Sequence, residues 1–239
     1  QVEAVRRLGA DCDVAFIDGR SRTSRYVTAL PGLRGRIARG GYDLVHAHYV
    51  LSGLAVWCAG LGATLPPWLL THHGVEVFDG WQAPLASWLT RRADRALVQS
   101  SAMARQLGLP ASDVLPTGVD LELFRPGDRL AARGRLGLPP DRPLIAWIGV
   151  DRPEKRLELA RRAVSQLGRV RAGAELVVVS GVEHREVPHW LAAVDAVLVT
   201  SSREGGPLVV KEALACDRPV VSTDVGDVGE VLAGLAGCA

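Results

Sequence analysis

The chain has 239 residues, 48% hydrophobic and 23% charged, with a formal net charge of +2. This is a globular composition with room for one large or two smaller cores, and two domains are favoured. The small net charge and scattered arginines argue against a nucleic-acid partner, and no run approaches the roughly 18–20 uninterrupted apolar residues that cross a bilayer.

Cys12, Cys58, Cys216 and Cys238 are too far apart for a disulfide framework or a zinc site. The opening residues do not read as a signal peptide, so the cytoplasm is the expected compartment.

Short Val/Leu/Ile-rich runs alternate with longer amphipathic ones, the rhythm of βα units around parallel sheets. In chain order the pattern predicts a helix near 2–8, a strand near 12–17, a helix near 26–39 and a strand near 43–47. A helix near 51–62, a strand near 67–72, a helix near 82–93, a strand near 95–99 and a helix near 101–108 follow. Residues 109–142 concentrate proline, glycine and charge and read as a connection between domains. Beyond them lie strands near 143–148, 174–180, 195–199 and 219–223, alternating with helices near 154–168, 187–193, 207–216 and 226–233. Leu157, Ala160, Val164 and Leu167 form a stripe that one face of the 154–168 helix should bury.

The expected architecture is α/β, with Rossmann-like halves at 1–120 and 121–239 facing each other across a cleft. Ligands of such sheets bind beyond the carboxyl ends of the strands, which points to the loops after 47, 72, 148, 180 and 199. A doubly wound sheet normally opens on a strand, whereas this chain opens on a helix and stops soon after 226–233. Both ends read as cut short.

The richest stretch is Glu204-Gly-Gly-Pro-Leu-Val-Val-Lys-Glu212. Gly205 and Gly206 permit close approach of backbone to a ligand. Pro207 suits the first helical position, so open N–H groups and the positive end of a helix should face an anion. Glu204 precedes the turn, and Glu212 lies one helical turn beyond Leu208 and leans toward the helix N-terminus. Two carboxylates flanking an anion cradle suit a sugar joined to a diphosphate. A lone pair of glutamates at this spacing is more often solvated; here strand, turn, helix and strand surround it. Lys155 and Lys211 are the only lysines in an arginine-biased chain and mark positions where a compact ammonium is preferred.

Residues 200–231 resemble the signature of the family 4 retaining glycosyltransferases, which have the two-domain GT-B fold. YDLVHAHY at 42–49, LLTHHGVEVF at 69–78, ALVQSS at 96–101, LPTGVDLELFRP at 115–126 and IAWIGVDRPEKR at 145–156 extend the likeness in order along almost the whole chain. The resemblance implies a nucleotide-diphosphate sugar donor, no metal ion and no other cofactor. It implies that Glu204 meets the sugar hydroxyls, that the backbone of Gly205, Gly206, Pro207, Leu208 and Val209 lines sugar and diphosphate, and that Glu212 holds the ribose.

Lys155 matches the family's diphosphate-binding lysine, and its charge would stabilise the leaving group as the glycosidic bond breaks. His73 matches the family histidine near the reacting carbon, and Gly74 allows close approach. Most members carry arginine where this chain has Val150. Arg152 either takes over that phosphate contact or faces solvent. Asp217 stands where many members have glycine, as a residue that tolerates the left-handed conformation. His46 and His48 share a face at a strand end; acceptor-side contacts and structural hydrogen bonds are equally in view, and a metal pair lacks a third ligand. Asp120 reads as a turn cap.

The leading expectation is a retaining glycosyltransferase whose acceptor is a cell-envelope glycan, a lipid-linked molecule or a small molecule. The competing readings are a nucleotide-sugar-binding protein without catalysis, motivated by Val150, and another GT-B chemistry such as a nucleotide-sugar epimerase or a phosphorylase. The resemblance admits peripheral membrane contact, since many family members glycosylate lipid-linked or cell-envelope acceptors; the basic stretches at 34–39 and 91–95 are too short to establish it, and the oligomeric state is not legible.

Overall fold

A computed structural model describes residues 2–19, 21–78 and 80–239. The chain forms two compact units, one of Gln1–His72 with Trp81–Ala96 and one of His73–Gly80 with Leu97–Ala239. The boundary expected at 120/121 lies inside the second unit.

The first unit contains α1 (Val2–Arg7), α2 (Arg25–Gly40), β1 (Val45–His48), α3 (Val50–Gly60), β2 (Trp68–Thr71) and α4 (Gln82–Thr90). β3 (Arg95–Leu97) leads out of it. The sheet order is β1-β2-β3, with Val45 opposite Trp68 and His48 opposite Thr71 in a parallel pair. α3 buries Val50, Ala55, Val56 and Ala59. A Cβ on Gly53 would come within 2.8 Å of Leu70, so glycine lets this helix lie close to the sheet.

The strand expected at 12–17 is not formed. A strand needs a hydrogen-bonded neighbour, and this segment pairs with none among the described residues. Val14 and Phe16 are exposed instead, while Asp13 accepts a hydrogen bond from the Tyr42 hydroxyl at 2.5 Å and lies 3.8 Å from Arg36.

The second unit contains α5 (Ser101–Leu107), α6 (Arg129–Leu136), β4 (Leu144–Ile148), α7 (Leu157–Val170), β5 (Glu175–Val179) and α8 (Val187–Ala193). β6 (Ala196–Val199), α9 (Leu208–Ala215), β7 (Val220–Ser222) and α10 (Val228–Leu232) complete it. Its sheet has the order β5-β4-β6-β7, parallel throughout. Phe124, Leu144, Leu191, Val197, Val210 and Val220 share one core, the continuous apolar burial that a sheet covered on both faces requires. The 73–80 segment is anchored by Val77, which packs with Val98, Met103 and Ala104.

The 109–142 stretch is not only a connection, because it contains α6. Asp128 caps that helix by accepting from the Ala131 N–H at 2.9 Å, and Gly137 ends it in the left-handed region. Its buried Arg133 donates to the carbonyls of Ala193 (2.8 Å) and Pro140 (2.7 Å) and pairs with Asp195 at 2.8 Å. Beside it Ala132 and Leu136 pack on Ala192 and Ala193, so the apolar part of the buried face is short.

α7 begins three residues later than expected, at Leu157. Its buried stripe is Leu157, Ala160 and Val164, while Leu167 is 38% exposed. Pro207 occupies the N-cap of α9 rather than its first turn, because its ψ of 113° is extended. Asp217 takes the left-handed conformation with φ 57°.

Candidate functional site

β6 runs into Thr200-Ser201, and the chain then reaches Glu204. Glu204 Oε1 accepts from the Lys155 ammonium at 2.5 Å and from the Ser201 hydroxyl at 2.6 Å. The glutamate side chain is 15% exposed and the lysine 27%, so the charges are close and partly screened from water.

Lys155 is brought there by local backbone chemistry. Residues Pro153–Lys155 form a 3-10 turn rather than the start of α7, because Arg156 follows with φ 48°. The strain of a left-handed arginine is offset by its guanidinium, which donates to the carbonyls of Thr200 (2.7 Å) and Ser201 (3.3 Å). In return the Thr200 hydroxyl donates to the Lys155 carbonyl at 2.8 Å and accepts from the Trp147 indole at 3.2 Å. The Ser202 N–H donates to the Glu154 carbonyl at 2.8 Å. The turns carrying Lys155 and Glu204 are thus joined by side-chain and backbone bonds.

The glycine loop is confined on both sides. A Cβ on Gly205 would lie 2.3 Å from the His73 carbonyl oxygen and 2.9 Å from Gly74 Cα, so only glycine fits there. Gly206 lies against the Asp227 carboxylate, and a Cβ on Gly226 (φ 61°) would meet the Gly205 carbonyl oxygen at 2.8 Å. Asp227 is buried and pairs with Lys211 at 2.6 Å. These two atoms are in contact without an aligned hydrogen bond and have no other hydrogen-bond partner. The ion-pair distance defines the interaction, since buried opposite charges at that separation attract whatever the N–H direction.

Glu212 is buried in α9, whereas Leu208 is 40% exposed, so the two do not share one environment. Glu212 Oε1 lies 2.7 Å from His184 Nε2, and that imidazole packs against Phe124 with ring centroids 5.2 Å apart.

His73 is positioned through three groups. Its backbone N–H donates to Glu76 at 2.8 Å, its Nδ1 lies 2.8 Å from Gln99 Nε2, and that amide also donates to Thr117 Oγ1 at 2.6 Å. His72 is fully buried, with Nε2 2.9 Å from Thr90 Oγ1, and burial lowers its pKa to about 4. Val150 is exposed, and half-exposed Arg152 lies 3.9 Å from Glu154. Asp120 caps a turn by accepting from the Glu122 N–H at 3.0 Å.

The second unit therefore gathers His73, Gly74, Arg152, Lys155 and the Glu204–Glu212 segment. His46 and His48 belong to the first. Their rings are 4.1 Å apart and His46 Nε2 lies 2.7 Å from Thr71 Oγ1. Burial and then repulsion from His48 lower the His46 pKa to about 4, and burial also lowers that of His48. Among the described residues no three His, Cys, Asp or Glu side chains converge as a metal site, and no helix is long and apolar enough to cross a membrane.

Sequence reasoning missed Arg156, Thr200, Ser201, Gln99, Thr117 and Asp227. All six lie in segments that carry the family likeness, and Lys211 stood out as one of two lysines, but no role could be read for any of them. Except for Ser201, which bonds Glu204 three residues on, they are ordinary polar residues whose partners are distant in sequence.

The family profile described as Glycosyltransferase Family 4 matches residues 3–123, and that described as Glycosyl transferases group 1 matches residues 145–238. A D-inositol 3-phosphate glycosyltransferase of Mycobacterium tuberculosis is 34% identical over 230 residues, covering 78% of this chain and 48% of the relative. The chain thus spans about half the length of the curated relatives it matches.

Among solved structures, sucrose-phosphate synthase from Thermosynechococcus elongatus matches with a TM-score of 0.66 and 22% identity, covering 92% of this chain and 66% of that one. Anabaena HepE in complex with UDP-glucose matches with a TM-score of 0.67 and 18% identity, covering 96% and 71%. The catalytic domain of starch synthase IV from Arabidopsis thaliana, bound to ADP and acarbose, gives a TM-score of 0.68 and 14% identity, covering 89% and 63%.

Proposed function

Because the chain belongs to glycosyltransferase family 4 and has the GT-B fold, we propose that it transfers a sugar from a nucleotide-diphosphate sugar to an acceptor, with retention at the anomeric carbon. The observation that carries this reading is the Lys155–Glu204 contact beside a glycine loop packed on the His73 carbonyl, all within one compact unit.

Charge develops on the diphosphate as the glycosidic bond breaks, and fixed positive groups there lower the barrier. The Lys155 ammonium has three donors, of which Glu204 uses one, so the others serve phosphate oxygens. The open N–H groups at the start of α9 add to this, with Gly205 and Gly206 letting the loop pack on His73 and Asp227. Arg152, two residues after Val150, is assigned the phosphate contact that Val150 cannot make. Glu204 accepts from sugar hydroxyls, Glu212 from the ribose, and His73 and Gly74 lie beside the reacting carbon. No metal or other cofactor is invoked, since lysine, arginine and helix dipole supply the positive charge.

His46 and His48 are assigned to the acceptor side, where neutral imidazoles suit hydroxyl recognition. The acceptor class stays as broad as a glycan, a lipid-linked molecule or a small molecule, and polysaccharide synthesis at the cytoplasmic face of the membrane is the setting this reading favours. That the relatives include a D-inositol 3-phosphate glycosyltransferase and structures with UDP-glucose supports the choice of donor class.

The test is calorimetry and turnover with a panel of nucleotide sugars. The chain should bind a subset and release nucleoside diphosphate on transfer or slow hydrolysis. Lys155→Ala and Glu204→Ala should each lower turnover by roughly a hundredfold or more, the usual cost of losing one transition-state contact. Unchanged turnover in both would overturn the assigned roles, and binding without any turnover would favour a protein that only holds nucleotide sugars.

A further inference from the structure

We propose that Gln99 is a positioning residue that fixes the tautomer of His73, so that the imidazole presents Nε2–H as a hydrogen-bond donor. Gln99 is buried just beyond β3, where Val98 is bridged to Val114 in parallel. Its amide nitrogen lies 2.8 Å from His73 Nδ1 and 2.6 Å from Thr117 Oγ1. An amide nitrogen only donates, and it has two hydrogens; one goes to the threonine oxygen and the other to the histidine. Nδ1 is then an acceptor, and a neutral imidazole with its lone pair on Nδ1 carries its proton on Nε2.

The backbone is fixed as well. The Glu76 carboxylate accepts the His73 N–H at 2.8 Å, and the His73 carbonyl lies where a Cβ on Gly205 would be 2.3 Å away. Gln99 therefore orients the ring while Glu76 and the glycine loop hold the His73 backbone. Gln99 lies in the ALVQSS segment at 96–101, but the sequence alone assigns it no partner. This inference rests on the proposed function for its catalytic meaning, while the tautomer can be read without turnover.

The experiment uses the 15N-labelled full chain and long-range proton–nitrogen NMR of the imidazoles, with His73→Gln identifying the His73 signals. Wild type should show Nε2 protonated and Nδ1 bare. Gln99→Glu replaces the donor by an acceptor of the same shape and should move the proton onto Nδ1, and Gln99→Leu should give a mixture. With UDP-glucose as the probe, Gln99→Glu should lower kcat/KM roughly tenfold, the worth of one well-placed hydrogen bond. The double variant with His73→Gln should lose no more than His73→Gln alone, since Gln99 acts only through that ring.

Wild type with Nδ1 protonated, or additive losses in the double variant, would overturn the assignment. A chain that switches tautomer as expected yet turns over no nucleotide sugar would leave it standing and remove the functional reading instead.

Discussion

Lys211 Nζ lies 2.6 Å from the Asp227 carboxylate, and that carboxylate in turn lies against Gly206. The lysine comes from α9 and the aspartate from the N-cap of α10, so one ion pair ties the donor-loop helix to the turn packed against the glycines. The side chains are 13% and 4% exposed. Desolvation makes either charge costly without the other.

Lys211→Met should therefore destabilise the second unit by about 3–5 kcal/mol, because it leaves a buried carboxylate unpaired. The double variant Lys211→Met/Asp227→Leu should recover much of the loss. Urea denaturation of both variants checks this; equal stability of the single and double variants would show that an unpaired Asp227 carboxylate is not the source of the loss.

Gly205→Ala places a methyl group 2.3 Å from the His73 carbonyl oxygen, whereas Gly206→Ala would meet Asp227 Oδ1 at 3.2 Å. The first must displace backbone and the second can be absorbed by a side chain. Displacement of about 1 Å in a reacting site costs roughly a hundredfold. Donor kcat/KM should fall by about that factor for Gly205→Ala and by clearly less for Gly206→Ala, as steady-state assays would show.

Arg156→Ala keeps a residue with a Cβ at φ 48° and removes the guanidinium bonds to Thr200 and Ser201. Arg156→Gly removes the same bonds but relieves the left-handed conformation, which costs roughly 1–2 kcal/mol for residues with a side chain. The glycine variant should be the more stable of the two by about 1 kcal/mol in thermal unfolding, a comparison that isolates the backbone term.

Acid should destabilise the first unit before carboxylate protonation dominates. His46 and His72 have folded pKa values of about 4, against 6.5 as the ordinary value. Between these limits the unfolded chain binds protons that the folded chain refuses, so stability is full above about 6.5 and declines as the pH falls toward 4. For fully buried His72 the effect is on the order of 3 kcal/mol. Denaturation midpoints at several pH values test this, and His72→Gln, which keeps a donor for Thr90, should flatten the profile.

In the second unit, Asp195 gives a parallel case with a different origin. Burial pushes its carboxyl up, but the Leu144 N–H, Arg129 and Arg133 outweigh it and hold the carboxyl below its usual range. That contribution is present above the ordinary carboxylate pKa and is lost as pH falls through the depressed value.

The alternation of apolar runs and amphipathic stretches by itself determined the βα rhythm, because periodicity reports which face of each element meets a core. It also determined the Glu204–Glu212 loop, because glycines, proline and carboxylates at close spacing state their chemistry locally. α6 escaped, although Asp128 and Gly137 were visible as caps, because the buried face of that helix is completed by a charged arginine. The 12–17 segment was misread for the opposite reason: its residues suit a strand, yet a strand exists only where another one supplies its hydrogen bonds.

Only the tertiary structure decided that Gln99 and Thr117 hold His73, that Ser201 and Lys155 share one oxygen of Glu204, and that Asp227 neutralises Lys211 beside Gly206. Each brings together polar groups from separate segments of the chain. Hydrogen bonds and charge pairs act over a few ångströms of space, whatever the distance along the chain, and the fold sets that spacing.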